Sequence, residues 1–136
     1  MKKIILLTGI FYFTSFYSQK NQNYVQIGYA SICCGTPSES PVINYVKQFQ
    51  KKNKLQNPEM YIEPGLGKEG EFSLYIGIDN LSKNQKDTFT KGLQSVISSQ
   101  NNMRKKNRDG FVNFDETNIA IKEDLLNKKL TIYKNK

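Results

Sequence analysis

The chain has no histidine and no tryptophan, and its only two cysteines are neighbours, Cys33 and Cys34. Without histidine there is no Ser-His-Asp or Cys-His couple, and an ordinary zinc or iron centre loses its commonest ligand. Acidic residues are in the minority, 12 against 20 lysines and arginines. The pair Glu69 and Glu71 sits beside a glycine-rich turn in a chain too short for a cleft-forming second layer. The two-carboxylate geometry of glycoside hydrolysis is therefore not expected. The turn itself, Gly65-Leu66-Gly67-Lys68, fails as a phosphate loop: one residue separates the glycines where four are needed, and Glu69 follows the lysine. With no catalytic constellation in view, the chain reads as a non-enzyme, with no metal centre and no cofactor.

What is present begins with a targeting pattern. Lys2 and Lys3 precede an uncharged, mostly apolar run over residues 4–17, long enough for a signal peptide and short for a bilayer span. The expected cut lies between Ser18 and Gln19, although Phe16 stands at the third position before it, where a small residue is preferred. Residues 1–18 are thus read as a signal peptide and 19–136 as a single small α+β domain. The product would be exported, periplasmic or secreted, with no stable membrane span after processing. Export removes two lysines and no acids, so the net charge falls from +8 to +6. Charges are scattered, with one dense cluster at Arg104-Lys105-Lys106-Asn107-Arg108. One short basic loop on an exported protein does not make a nucleic-acid binder, and the basicity is read as solubility.

Along the domain, residues 24–32 carry apolar side chains on both faces, as a strand well inside a sheet would. Ser40-Pro41 opens a helix whose stripe is Val42, Tyr45, Val46 and Phe49, with Asn57-Pro58 as its stop. Residues 59–63 form a short strand candidate. After a turn, Phe72, Leu74, Ile76 and Ile78 alternate with Ser73, Tyr75, Gly77 and Asp79, the pattern of a strand with one buried face. Ser82 and Gln85 have capping-box form ahead of a helix with Phe89, Leu93, Val96 and Ile97 on one stripe. Residues 98–109 read as a polar loop or frayed helix end. Short strands are expected at 111–114, 118–122 and 130–133, the last two joined by a turn over 123–129. The order predicts a ferredoxin-like βαββαβ sandwich, an antiparallel sheet with two helices on one face, and an extra C-terminal strand.

Three readings of Cys33 and Cys34 stay open: one thiol in the core with the other under the helix, a redox or soft-metal thiol site, or an intermolecular disulfide. A bond between the two would close a strained ring. Their place, between a strand end and a helix N-terminus, favours a lowered thiol pKa. In that position they are similar to soft-metal-binding ferredoxin-like domains. Those carry Cys-x-x-Cys, however, so the similarity is of layout only. Residues 105–116 resemble an EF-hand loop, with Asn107, Asp109, Gly110, Asn113 and Glu116 in register. Lys105 stands where the first aspartate belongs, which removes a ligand and repels the ion. Tyr61, Tyr75 and Tyr133 fall opposite the apolar stripes. They suggest either half-buried rings filling the sheet surface or an exposed aromatic face that receives a protein partner in the envelope or extracellular space. The leading expectation is a small exported binding protein using that face. The alternative is a thiol-based redox or soft-metal protein acting through Cys33 and Cys34.

Overall fold

The computed structural model describes residues 23–134; the signal peptide expected over 1–18 lies outside them. Among the described residues, five strands and three helices follow in the order β1 (Asn23–Ala30), α1 (Ser40–Asn53), β2 (Met60–Glu63), β3 (Phe72–Gly77), α2 (Lys83–Met103), β4 (Phe111–Ile121), α3 (Lys122–Leu125) and β5 (Thr131–Ile132). The strands form one antiparallel sheet in the order β4-β1-β3-β2-β5, and the protein is of the α+β class.

β1 is an interior strand, held by β3 on one side and β4 on the other, which accounts for its two apolar faces. β3 is the middle strand, and here the structure corrects the sequence. The alternation in β3 implies one open face, yet residues 73–78 are all buried. The second face of β3 is covered by chain that comes from the far end of the sequence.

The main core lies between the sheet and the two long helices. Val25, Ile27, Leu74 and Ile76 supply the sheet side; Val42, Val46 and Phe49 of α1 and Phe89, Leu93 and Ile97 of α2 supply the other. Each such side chain contributes about 1.5–3 kcal/mol by leaving water. α1 starts one residue earlier than a Ser40 cap would have it: Glu39 is the N-cap, and Ser38 Oγ accepts the Ser40 N–H at 3.1 Å. It stops at Lys54, which takes a left-handed φ of 53° and returns its N–H to the carbonyls of Gln50 and Lys51, before Pro58 is reached. α2 opens with the expected reciprocal box, Gln85 N–H on Ser82 Oγ at 3.2 Å and Ser82 N–H on Gln85 Oε1 at 2.9 Å. It then runs 21 residues to Met103. The polar stretch 98–103 is therefore helix. Asn101 ties it to β4, donating to Val112 O at 2.8 Å and accepting Val112 N–H at 2.9 Å.

Gly92, mid-helix, is a contact point. A Cβ there would lie 2.0 Å from the hydroxyl of Tyr45, which donates to Phe89 O at 3.1 Å and stacks on the Phe89 ring. The glycine is what lets α1 lay a tyrosine across α2.

The C-terminal third departs furthest from expectation. Residues 111–121 are one strand of 11 residues, not two short ones. Its pairing with β1 jumps, Ile27 facing Phe114 while Val25 faces Ile119, so 115–118 loop out. Asp115 Oδ1 stabilises this bulge by accepting the N–H of Thr117 at 2.9 Å and its hydroxyl at 2.7 Å. No hairpin follows. β5 pairs with β2, at the opposite edge of the sheet from β4, so residues 122–130 cross the sheet face away from the long helices.

Candidate functional site

That crossing creates a second, smaller core. Leu125 of α3 is buried to 4 % exposure in a cluster with Tyr24 of β1 and Tyr75 of β3, both at 0 %. Tyr61, Ala120 and Leu130 pack around it. Tyr61 and Tyr75 are register partners across β2 and β3, and alternation places Glu59, Tyr61 and Glu63 on one side of β2.

The hydroxyls of the three tyrosines in this cluster, Tyr24, Tyr61 and Tyr75, are all committed. Tyr24 donates to Glu59 Oε2 at 2.7 Å, Tyr61 donates to Glu59 Oε1, and Tyr75 donates to Glu63 Oε2 at 2.7 Å. Lys128, delivered by the crossing segment, reaches both oxygens of Glu63 at 3.1 and 3.0 Å, with its ammonium 5.9 Å from the Tyr75 ring centroid. Burial pushes the Glu63 carboxyl up, but the Tyr75 hydroxyl and the Lys128 ammonium outweigh it and hold the group below the usual carboxylate range. Donation to Glu59, with partial burial, raises Tyr61 to about 12, and burial first, then Glu59, raises Tyr24 further.

Beside this network lies a pocket of 230 Å³ between Tyr24, Tyr61, Leu125, Leu126 and Leu130, with Lys122 also in its wall. Leu126 is 73 % exposed, and Ile132, the register partner of Tyr61 on β5, is 68 % exposed. Large aliphatic side chains so exposed, next to an apolar hollow, form the clearest non-polar patch on this side of the sheet.

The three tyrosines singled out from the sequence do not share one open face. Tyr75 is fully buried, because residues 122–130 lie over it. Tyr61 is half-buried and lines the pocket. Tyr133 packs on the helix-side core, with its N–H on Met60 O at 3.0 Å; alternation from Ile132 puts it on the opposite side from Tyr61. Glu59 and Glu63 were missed, although their spacing of two on either side of Tyr61 in a strand is the signal that could have found them.

The cysteines lie elsewhere. Cys33 and Cys34 are joined to each other, with an S–S distance of 2.07 Å, and both residues are exposed. This replaces the reading with one thiol in the core and one under the helix, and also the intermolecular bond. The chain leaves the sheet after Ala30, so neither residue keeps a strand's inward face. Gly35 takes a φ of 99° and donates its N–H to Ser31 Oγ at 3.2 Å. Gly110 closes against this loop: a Cβ there would lie 2.1 Å from Ala30 O.

Between the loop, the end of α2 and the turn before β4 is an open cleft of 340 Å³. Arg104 lies over the Phe111 ring at 5.5 Å and donates to the carbonyls of Lys106 and Asp109 at 3.2 and 3.3 Å. Asp109 accepts the Lys105 N–H at 2.8 Å and the Arg108 Nε–H at 2.8 Å, and these two donors hold its carboxyl below the ordinary range. The EF-hand register is not realised as a loop. Asp109 is turned inward on its own turn, while Asn113 and Glu116 ride on β4. Among the described residues no group of three or more Cys, Asp or Glu side chains is arranged to hold a metal ion, and no helix is long and apolar enough to cross a membrane.

No protein-family model matches this chain, and no curated protein or solved structure matches it.

Proposed function

We propose that this is an exported, non-enzymatic binding protein on a ferredoxin-like βαββαβ frame, and that it receives a protein partner at the pocket beside Tyr61. The strand order β4-β1-β3-β2 with α1 and α2 over one face supports the frame; β5 is then an addition at the β2 edge. The observation that carries the binding reading is the exposure of Leu126 and Ile132 next to an apolar hollow walled by Tyr24, Tyr61 and Leu130. Covering either aliphatic side chain would stabilise a complex by about 1.5–3 kcal/mol before ordering costs. Tyr61 is pre-set for contact, since its hydroxyl is already held by Glu59 and its ring loses little freedom on binding. The aromatic face expected from the sequence thus contracts to one ring and its aliphatic neighbours.

Because Leu126 and Ile132 are exposed, Leu126→Asp with Ile132→Asp should leave thermal unfolding nearly unchanged. It should abolish recovery of the partner that the unaltered protein retains from an envelope extract. Retention of the same partner by the double variant would overturn the reading.

A second reading has one observation in its favour: both residues of the Cys33–Cys34 disulfide are exposed and Cys34 lines a cleft. Thiol-disulfide exchange, or soft-metal binding after reduction by a dithiol, would act there. A double Cys→Ser variant with unchanged behaviour in its native compartment under oxidant and reductant would remove it.

A further inference from the structure

We propose that one end of the sandwich is a docking surface for an anionic lipid membrane, separate from the pocket beside Tyr61. The sheet register brings three connections to this end. β1 leaves the sheet at Ala30, opposite Phe111 where β4 begins, and Tyr29 faces Phe72, where β3 begins. β2 stops at Glu63, opposite Ser73. Residues 31–39, 64–71 and 104–110 therefore emerge at the same end, and Cys34, Met103 and Arg108 share the wall of one cleft there.

Each connection brings an exposed large apolar side chain: Ile32, Leu66 and, on the last residue of α2, Met103 at 80 % exposure. The uncharged Cys33–Cys34 disulfide, also exposed, adjoins Ile32. These side chains belong to separate loops, so a folded partner would need a matching hollow for each. A lipid surface needs none, because its fluid headgroup–acyl boundary takes up apolar side chains wherever they arrive.

Charge selects the kind of lipid. Residues 104–109 hold four basic side chains against one acid. Arg104 is turned onto the Phe111 ring and backbone carbonyls, but Lys105, Lys106 and Arg108 are exposed in the turn that follows Met103. Asp109 is half-buried and already accepts the Lys105 N–H and the Arg108 Nε–H. The hairpin turn carries Lys68 with Glu69 and Glu71, and Glu71 accepts the Glu69 N–H at 2.9 Å. Glu39, at the far end of the first connection, is half-buried. Positive charge is thus concentrated where α2 ends, and anionic headgroups would meet it there while Met103 enters the boundary.

The test is flotation of the disulfide-bonded protein with vesicles of phosphatidylcholine alone and of an equimolar mixture with phosphatidylglycerol. The protein should float with the mixed vesicles and not with phosphatidylcholine alone. Lys105→Gln and Lys106→Gln should each weaken the partition by about fivefold. Met103→Gln, also at an exposed position, should weaken it by at least about tenfold. Because the chain has no tryptophan, Met103→Trp and Leu66→Trp each supply a single reporter, which brominated lipid should quench. Lys47→Trp, on the exposed side of α1, should stay unquenched. No flotation with the mixed vesicles would overturn the proposal. So would a partition untouched by Met103→Gln, which is charge attraction alone, or quenching at 47 and not at 103. Leu126→Asp with Ile132→Asp should leave flotation unchanged; its loss in that variant would put the lipid contact at the pocket beside Tyr61 and equally overturn the proposal.

Discussion

Tyr75 donates its hydroxyl to Glu63 Oε2 at 2.7 Å, and Lys128, 65 residues further on, clamps the same carboxylate at 3.0 Å. This pairs the middle of the sheet with the segment that crosses it. Because the folded state holds Glu63 ionised at lower pH than the unfolded chain does, its contribution is complete above the ordinary carboxylate range and disappears as pH falls through the lowered folded value. Glu63→Gln should cost about 1–2 kcal/mol at neutral pH, since the carboxylate charge that Lys128 meets through both oxygens is lost while an acceptor for Tyr75 remains. Denaturant titrations over a pH series should show the two proteins converging in acid. A constant difference at all pH values would deny the ion pair its role.

Leu125 is the plug of the second core, buried against Tyr24 and Tyr75. Leu125→Ala should therefore destabilise by about 2–4 kcal/mol, as a core truncation does, although it sits on a helix of four residues. A cost below about 0.5 kcal/mol, the level of a surface substitution, would mean that residues 122–130 do not lie on the sheet.

Gly92→Ala would ordinarily stabilise a helix interior by roughly 1 kcal/mol. Here the new methyl meets Tyr45, so the substitution should lower stability instead. In a Tyr45→Ala background the same change should recover its usual gain. Urea midpoints of the four proteins decide it, and a stabilising Gly92→Ala in the unaltered background would contradict the packing.

The cysteines should be unreactive toward alkylating agents until a dithiol reductant is added, and then take up two groups per chain, with the intact mass remaining that of a monomer. Two alkylations without reductant would mean that Cys33 and Cys34 are free thiols. A mass of two chains would mean that they bridge molecules.

Much of the helix-and-hairpin half was readable from local pattern. The two-sided apolarity of residues 24–32 marks an interior strand, which ends at Ala30, and Ser82 with Gln85 marks the start of α2, because both signals act within a few residues. The C-terminal part was not readable, for a physical reason. Leu125, Leu126 and Leu130 make too short a pattern to show which surface they cover, and a turn is the local default for 123–129. It is the distant pairing of β5 with β2, Ile132 with Tyr61 71 positions earlier and Thr131 with Ile62, that carries the segment across the sheet. Tyr75 was legible as a face residue and misjudged as an open one for the same reason. The cleft beside Cys34 could not be seen from the sequence at all, since its walls come from three separated stretches that Gly110 brings together.

The most direct measurement of the binding reading is site-specific photo-crosslinking in the native compartment, with the photoreactive side chain placed in turn at Ile132, at Leu126 and at Lys47 on the exposed side of α1. A discrete heteromeric adduct from 132 and 126, absent from 47, is the result expected if the pocket beside Tyr61 is the contact surface. Adducts of equal yield from all three positions, or from 47 alone, would contradict it.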